Sequence, residues 1–362
     1  MTSSKPFRIH APGRVCLFGE HSDYLGLDVI AAAINLGIDI AAKPRDDDVV
    51  CVNYADLDTY DEFPIDTELA HRHERDYLRS AFNVALNQEI APTHGWDVQV
   101  TGNIPIAGGL SSSSSLSVAS IILATHIGGK EFRPVDIVRM AYEAEVERFG
   151  ESGGMMDHYA SAYGSVIHVS MDSDQKVTKV PADIKGLVIG DSRQKKKDTV
   201  GDLKEIRESV EEGFDEIKRK LPDFDRRTTG IQTVYGLQRS KSNNEVMMAE
   251  TALQNRNITA RAFTLLGKKN PDEQMLGELL NEHHSLLRYN LGRSTPKIDM
   301  MIDSALKAGA LGCKVNGSGG GGTMLAYAPG AEDTVSEAII ATGGIPYKVE
   351  IGRGATLTIL KE

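Results

Sequence analysis

Residues 105–119 read PIAGGLSSSSSLSVA, and this stretch guides the interpretation of the whole chain. A glycine and serine loop runs directly into the apolar segment Leu116 to Ile127, which is typical of a helix. The first N–H groups of such a helix have no partners within it and lie at the positive end of its dipole, so they can bind an anion. Glycines let phosphate oxygens approach the backbone, and serine hydroxyls can bind a hard cation such as Mg²⁺. A flexible linker is the alternative, but linkers do not usually continue into an apolar helix.

A second glycine-rich stretch lies near the end of the chain, where residues 314–323 read KVNGSGGGGT. Formally it satisfies the G-x-G-x-x-G pattern of dinucleotide-binding folds, but strand-like residues follow it where those folds require a helix. The sequence also has no G-x-x-x-x-G-K-[ST] motif, so neither a Rossmann fold nor a P-loop is indicated. What remains is a glycine run packed against another backbone or against a phosphate tail.

The third stretch comes first in the chain, where residues 12–24 read PGRVCLFGEHSDY. Arg14 to Phe18 suit a short strand, and Glu20, His21 and Asp23 follow its end. Two carboxylates and an imidazole at the end of a strand can hydrogen-bond several hydroxyls of a polyol. A polar turn that caps a helix is the alternative interpretation.

An acidic segment separates these stretches. Glu145 lies on a predicted helix with two other glutamates, and Asp157 follows the paired glycines Gly153 and Gly154. An aspartate presented in this way is a candidate base or charge stabiliser, whereas the glutamates alone would more often form a solvated face. His158 is interpreted as structural, and Cys16 and Cys313 as core thiols.

Composition excludes several classes of protein. The chain has 362 residues, of which 41% are hydrophobic and 25% charged, so we expect a folded protein with two or three lobes rather than a disordered one. A net charge of −11 argues against a general nucleic-acid binder. Three cysteines cannot build a disulfide framework, and neither a secretory signal nor a membrane-spanning segment is visible, so a cytoplasmic setting is expected.

The element pattern predicts an α+β fold with mixed or antiparallel sheets, because the strict strand–helix alternation of a doubly wound sheet is missing. Two lobes are expected, residues 1–185 and residues 186–362. The strands predicted from alternation or apolar runs include Val29–Ile40, Trp96–Gly102, Cys313–Asn316 and Thr323–Tyr327. The predicted helices include Ser115–Ile127, Pro134–Phe149, Ser209–Leu221, Asn244–Leu266 and Asp272–Leu287.

In this order, the three stretches resemble the motifs of the GHMP kinase superfamily, and most closely those of its galactokinase-like sugar kinases. The resemblance runs from Ala11 through Asp157 to Gly322. It implies two lobes with the active site in the cleft between them, and ATP- and Mg²⁺-dependent transfer of a γ-phosphoryl group to a sugar hydroxyl at the anomeric position. The implied partners are the sugar and ATP, with no nucleic acid and no membrane, and the protein is expected to be a monomer or homodimer.

The same resemblance assigns roles to residues. Asp157 is the catalytic acid, which either accepts the substrate proton or orients the hydroxyl, and Arg14 stabilises charge on the transferred phosphoryl group. The implied sugar-binding residues are Glu20, His21, Asp23 and Gly154. The implied metal ligands are Ser113 and Glu145. The implied ATP-binding residues are Gly108, Gly109, Leu110, Ser111, Ser112, Ser113, Ser114, Ser115, Gly319 and Gly320.

Other acceptors remain open. Leu27 stands where galactokinases usually have glycine, and residues 190–199 (GDSRQKKKDT) are closer to mevalonate kinases. The alternatives are a mevalonate-type kinase or a kinase for a uronic acid or sugar phosphate, whose acid could meet the basic run Arg193 to Lys197 unless that run is a solvated loop. A sugar- and ATP-binding sensor is a further alternative. An enzyme is favoured because all four groups needed for catalysis are present: Arg14, Ser113, Glu145 and Asp157.

Overall fold

The structure is a computed structural model that describes residues 5–105, 109–195, 199–237 and 244–361. In chain order its strands are β1 (Phe7–Phe18), β2 (Val29–Pro44), β3 (Val49–Tyr54), β4 (Thr59–Pro64), β5 (Trp96–Gly102), β6 (Val166–Val169), β7 (Val177–Lys179), β8 (Leu187–Asp191), β9 (Gly312–Asn316), β10 (Thr323–Tyr327), β11 (Ile345–Val349) and β12 (Thr356–Ile359). Within the described residues, no helix has both the length and the apolar character that crossing a lipid bilayer requires.

Its α-helices are α1 (Tyr77–Asn87), α2 (Ser112–Ile127), α3 (Pro134–Tyr142), α4 (Met156–Tyr163), α5 (Thr199–Lys220), α6 (Ile231–Tyr235), α7 (Asn244–Leu266), α8 (Glu273–Ser285), α9 (Pro296–Lys307) and α10 (Glu332–Ala341). A short 3₁₀ turn spans Asp23–Leu25, and π-helical turns follow α3 at Glu143–Glu147 and α8 at Leu286–Asn290.

The larger sheet has eight strands in the order β12-β1-β2-β5-β3-β4, with β6 paired to β2 and β7 paired to β6. These strands run antiparallel except for β3 and β5, which are parallel. Alternate residues of β5 point to opposite faces of this sheet. Trp96, Val98 and Val100 are buried on one face, whereas Asp97 and Gln99 between them are exposed on the other. Helices α1 to α4 contribute to the core on the covered face.

The smaller sheet is antiparallel in the order β11-β8-β10-β9, and helices α9 and α10 contribute to the core on one of its faces. A shared core joins the two sheets, because Val15 and Ile30 from the larger sheet cluster with Ile189 and Leu325 from the smaller one. Helices α5 and α7 pack together and bury Leu25, which lies in the turn after β1. The C-terminal half of the chain therefore supports the loop that carries Glu20, His21 and Asp23.

The predicted α+β fold with mixed or antiparallel sheets is confirmed: the larger sheet contains one parallel pair, β3 and β5, and the smaller sheet is antiparallel. The predicted bounds of β5, β10 and α7 match the structure, and α2 begins three residues earlier than expected, at Ser112. The helix predicted over Pro134–Phe149 starts where expected but ends at Tyr142, because a π-helical turn follows that directs Glu145 inward. The division of the chain into lobes at residue 185 stays a prediction. Strand β8, the first strand of the smaller sheet, begins just after this residue, but β12 from the C-terminal end of the chain pairs with β1 of the larger sheet.

Candidate active site

A cavity of about 770 Å³ opens beside the end of β1. The turn after β1, the serine run, the π-helical turn and the start of α4 all contribute side chains to it, and Lys195, Leu203, Gly317 and Ser318 line it from the second half of the chain. The residues predicted from sequence that line it are Arg14, Glu20, His21, Asp23, Gly109, Ser111, Ser112, Ser113, Ser114, Glu145, Gly154 and Asp157. Ser113 and Asp157 therefore face one space, although 44 positions separate them in the sequence.

The turn after β1 depends on a glycine. Gly19 has a φ angle of +84°, and a Cβ atom there would lie 2.7 Å from the carbonyl oxygen of Asp28. The chain reverses at this point, so Glu20 and His21 are brought to the cavity instead of continuing the strand. His21 Nδ1 lies 2.8 Å from the hydroxyl of Tyr24, a hydrogen bond that fixes the imidazole ring at the cavity wall.

Glu20 is a buried carboxylate with a buried partner. Its Oε2 atom accepts a hydrogen bond of 2.7 Å from Nζ of Lys314 on β9. Burial by itself would raise the pKa of Glu20, but Lys314 and Arg14 outweigh that effect and lower the pKa to about 2. Glu20 is therefore a charged hydrogen-bond acceptor at neutral pH.

Arg14 and Asp157 form a two-bond ion pair at the cavity wall. Arg14 Nε donates to Asp157 Oδ1 at 2.6 Å, and Nη2 donates to Oδ2 at 2.7 Å. Arg14 Nη1 donates to the carbonyl oxygen of Gly109 at 2.7 Å, and the hydroxyl of Ser111 donates to Asp157 Oδ2. Burial disfavours the charged guanidinium, but Asp157 and Glu20 outweigh it and raise the pKa of Arg14. The pair holds the Asp157 carboxylate in a fixed orientation at the cavity wall.

Asp23 lies against the segment that carries Asp157. Its Oδ2 atom accepts a hydrogen bond of 3.1 Å from the backbone N–H of Met156. A Cβ atom at Gly154 would lie 2.0 Å from that same oxygen, so the contact requires glycine. Burial, and then the negative charge of Asp157, raise the pKa of Asp23 to about 6. This carboxylate is ionised at neutral pH only at an energetic cost.

The serine run forms the start of α2. Ser111 has a φ angle of +63°, which ends the loop, and Ser112, Ser113 and Ser114 in the first turn of the helix face the cavity. The first N–H groups of this helix therefore lie at the cavity, as an anion site requires. Ser115 instead donates its hydroxyl to the carbonyl oxygen of Pro12, which fastens the helix start to β1.

Glu145 enters the cavity from the π-helical turn. Its Oε1 atom accepts from the hydroxyl of Ser114 at 3.1 Å, and its Oε2 atom lies 2.7 Å from Nε2 of the buried His158. The predicted structural role of His158 fits this contact. Glu145 and Ser113 supply oxygen atoms to the same space, and Mg²⁺ in kinases is usually held by one or two such groups together with phosphate oxygens. Among the residues that the structure describes, no group of three His, Cys, Asp or Glu side chains is placed to hold a metal by itself.

Comparison with known families now identifies the architecture. Residues 76–165 match the N-terminal domain of GHMP kinases, and residues 262–344 match the C-terminal domain of GHMP kinases. Residues 2–44 match the galactokinase galactose-binding signature. A galactokinase from Mannheimia succiniciproducens is 30% identical over 343 residues, which cover 89% of this chain and 85% of that protein. The chain belongs to the GHMP kinase superfamily.

Two kinds of GHMP kinase are similar to this one. A mevalonate kinase from Pyrococcus horikoshii is 30% identical over 354 residues, with 95% of both chains covered. Among solved structures, Lactococcus lactis galactokinase complexed with galactose has a TM-score of 0.85 at 23% identity and covers 97% of this chain and 95% of its own. Methanococcus jannaschii mevalonate kinase has a TM-score of 0.73 at 21% identity, covering 96% and 98%. This GHMP kinase therefore transfers a phosphoryl group from ATP to an alcohol.

Some predicted ATP-binding residues of this GHMP kinase lie away from the cavity wall. Leu110 packs its side chain into the core that joins the sheets, and Gly108 lies outside the described residues, as do Lys196 and Lys197 of the basic run. Gly319 and Gly320 pack against Arg293: the Gly320 N–H donates to the Arg293 carbonyl oxygen at 2.9 Å, and a Cβ at Gly319 would lie 2.3 Å from it. This run is packed against another backbone, and its contact with ATP stays a prediction.

Sequence reasoning did not single out two residues of this site, Lys314 and Asn316. Lys314 holds Glu20, while Asn316 Nδ2 donates to the Gly109 carbonyl oxygen at 2.9 Å and its Oδ1 accepts from the Cys16 N–H at 3.0 Å. The available signal was the placement of two polar side chains within the apolar strand β9, where an unpaired polar group is costly.

Proposed function

We propose that this GHMP kinase phosphorylates a sugar at its anomeric hydroxyl, with Mg²⁺-bound ATP as donor. One observation carries the proposal: the Arg14–Asp157 pair, the Glu20, His21 and Asp23 group, and the serine run face a single cavity. Residues 186–362 contribute Lys195 and Gly317 to the same cavity, which supports an active site between lobes spanning residues 1–185 and 186–362.

On the acceptor side, Asp157 is the group that would receive the proton of the attacking hydroxyl or orient that hydroxyl for attack. Both of its oxygens are held by Arg14, and Ser111 also donates to Oδ2, so the carboxylate is fixed before the sugar binds. Phosphoryl transfer depends chiefly on such positioning and on neutralising the charge of the transferred group. Arg14 supplies a buried positive charge for the second task.

On the donor side, the N–H groups at the start of α2 and the side chains of Ser112 to Ser114 would hold the triphosphate. Ser113 and Glu145 would hold the Mg²⁺ ion, which when bound neutralises charge on the phosphates. His158 and Ser114 orient the Glu145 carboxylate for this role, because each occupies one of its oxygens.

Electrostatics favour a neutral sugar over an acidic acceptor. The cavity next to Asp157 presents the carboxylates of Glu20 and Asp23, and Arg14 is already paired with Asp157. Burial, and then the negative charge of Asp157, raise the pKa of Asp23, and a carboxylate on the acceptor would add to the repulsion from Asp157. The galactose-binding signature over residues 2–44 supports the same choice.

A mevalonate-type or uronic-acid kinase is the second candidate, because the exposed Lys195 lines the cavity and could meet an acid, and because mevalonate kinases are among the similar proteins. A sensor without turnover is less well supported, since Arg14, Ser113, Glu145 and Asp157 are all present and face the cavity.

A coupled ADP-release assay over galactose, other monosaccharides, galacturonic acid and mevalonate tests the proposal. We expect turnover on a neutral sugar, with a sugar 1-phosphate as product by NMR, and loss of about a thousandfold in kcat for Asp157→Asn. Turnover on mevalonate and on none of the sugars would show that the protein is a mevalonate-type kinase, the second candidate. Calorimetric binding of sugar and ATP without ADP release would favour the sensor.

A further inference from the structure

Lys314 is a fully buried lysine in the middle of an apolar strand. Its relative exposure is 0%, and its neighbours on β9, Cys313 and Val315, are also buried. An ammonium group removed from water is costly unless charged or polar partners surround it. A lysine at this position therefore needs a specific compensation, and the contacts of its Nζ atom show what that compensation is.

Both hydrogen bonds of the ammonium group, among the residues that the structure describes, are with residues in β1 or directly after it. Lys314 Nζ donates to Glu20 Oε2 at 2.7 Å and to the carbonyl oxygen of Cys16 at 2.8 Å. The contact with Cys16 fixes the ammonium to the strand, and the contact with Glu20 fixes the carboxylate to the ammonium. Glu20 lines the cavity, whereas Lys314 lies behind it.

The Glu20 carboxylate therefore has two distinct oxygens. Oε2 is occupied by Lys314, and Oε1 has no hydrogen-bond partner among the residues that the structure describes. Because Glu20 is only 3% exposed, its side chain has little freedom to turn away once Oε2 is held. A donor hydroxyl in the cavity is the natural partner for the remaining oxygen.

We propose that Lys314 is a positioning residue for the phosphoryl acceptor: it holds the Glu20 carboxylate charged and directed at the cavity, and does not itself touch the acceptor. This inference rests on the proposed function in one respect, that Glu20 binds the acceptor. The charged or titratable groups that act on Glu20 from the surrounding elements, besides Lys314, are Arg14, Cys16, His21, Asp23, Tyr24 and His283.

Steady-state kinetics of Lys314→Met, Glu20→Gln and the double variant test the coupling between the two residues. If Lys314 acts through Glu20, each single variant raises KM for the acceptor by about tenfold or more, while KM for ATP changes by less than about threefold. The double variant should match Glu20→Gln within about twofold, because the second change removes nothing further. Multiplication of the two effects, or an unchanged acceptor KM in Lys314→Met, would overturn the proposal.

Arg79→Met is the matched control. Arg79 forms another buried ion pair, with Asp61 at 2.8 Å, but it does not line the cavity. Its removal should lower the melting temperature without changing KM for the acceptor. If Lys314→Met fails to fold, the comparison of Glu20→Gln with the double variant still decides the question, since the double variant leaves no unpaired charge in the interior. An acceptor KM about threefold or more higher in the double variant would refute the coupling.

A second measurement needs no turnover and separates this inference from the proposed function. Without Lys314, burial dominates at Glu20, so its pKa should rise and Lys314→Met should lose stability as pH increases from 4 to 8, relative to the double variant. Equal pH dependence of unfolding in both variants would overturn the role of Lys314 even if the enzyme phosphorylates sugars. Absence of sugar turnover in the unmodified protein would instead overturn the proposed function while leaving the coupling to Glu20 measurable.

Discussion

Asp23 is expected to destabilise the folded protein, and Asp23→Asn should therefore make it more stable while impairing acceptor binding. The carboxylate is largely buried and lies near the negative charge of Asp157, which together raise its pKa from 3.8 to about 6. Asparagine keeps the size of the side chain and an oxygen that can still accept from the Met156 N–H. The substitution thus removes the charge and retains the contact.

The magnitude follows from the pKa. A rise from 3.8 to about 6 corresponds to about 3 kcal/mol, at about 1.4 kcal/mol per pH unit. Because Asp23 is partly open to the cavity, water screens part of this cost, and we expect a gain of about 1–3 kcal/mol. Below pH 3.8 the Asp23 carboxyl is protonated in both the folded and the unfolded protein, so it costs no stability. As the pH rises through 6, the folded protein must ionise this group at its raised pKa, and the free energy of unfolding falls. The advantage of Asp23→Asn should therefore be greatest at pH 8 and absent near pH 3.

Urea unfolding followed by the fluorescence of Trp96, the single tryptophan, which lies buried in the core of the larger sheet, measures this difference. The exposed Asp66, changed to Asn, is the matched control and should change the free energy of unfolding by less than about 0.5 kcal/mol. In the same samples, KM of Asp23→Asn for the sugar should rise by about tenfold or more. A variant that is less stable at pH 8, or whose difference from wild type is the same at pH 4 and pH 8, would refute the reasoning.

Three further changes have defined outcomes. Gly154→Ala places a Cβ atom 2.0 Å from Asp23 Oδ2, so sugar KM should rise about tenfold while ATP KM stays constant; an unchanged sugar KM contradicts the contact. Ser113→Ala should raise the Mg²⁺ concentration needed for half-maximal activity several-fold, and an unaltered Mg²⁺ titration excludes a ligand role. Burial lowers the pKa of His283 to about 3, so wild type should lose about 2–3 kcal/mol between pH 7 and 4.5, as the unfolded chain takes up a proton near pH 6.5. His283→Phe should remove this loss in acid unfolding titrations, and the same acid sensitivity in the variant would show that another group is responsible.

The sequence predicted those strands and helices in which buried residues recur with the period of the element, two residues in a strand and 3.6 in a helix. Strand β5 alternates buried and exposed residues, and α7 buries apolar residues at helical spacing along its length, such as Ala249, Leu253 and Leu266, so both were predicted with their observed bounds. Strand β4 lies at the edge of the larger sheet and exposes four of its six residues, so its sequence carries little apolar signal. The π-helical turn at Glu143–Glu147 was also missed, because the helical pattern of residues 134–149 continues through it without a local signal; in the structure its Glu145 contacts His158.

Sequence motifs predicted which residues line the cavity where those residues belong to ordered segments, but they did not predict the contacts between distant parts of the chain. Glu20, Ser113 and Asp157 each stand in a recognisable segment, and the resemblance assigned their roles. Lys314 has no such local pattern, because it acts on a carboxylate 294 positions earlier. A charged residue within a buried strand indicates that it has a partner of opposite charge or a polar partner, but sequence spacing does not identify that partner.

One backbone atom shows why the three glycine-rich stretches must occur together. The carbonyl oxygen of Gly109 accepts from Arg14 on β1 and from Asn316 on β9, so the serine loop is held on both sides by the strands that lead to the other two stretches. Arg14 also holds Asp157, and β9 also carries Lys314, the partner of Glu20. A shift of the serine loop would therefore disturb Asp157, and a shift of β9 would disturb both the serine loop and Glu20. These hydrogen bonds connect the three motifs, and such a connection suits phosphoryl transfer, which needs donor and acceptor fixed relative to each other and not merely bound.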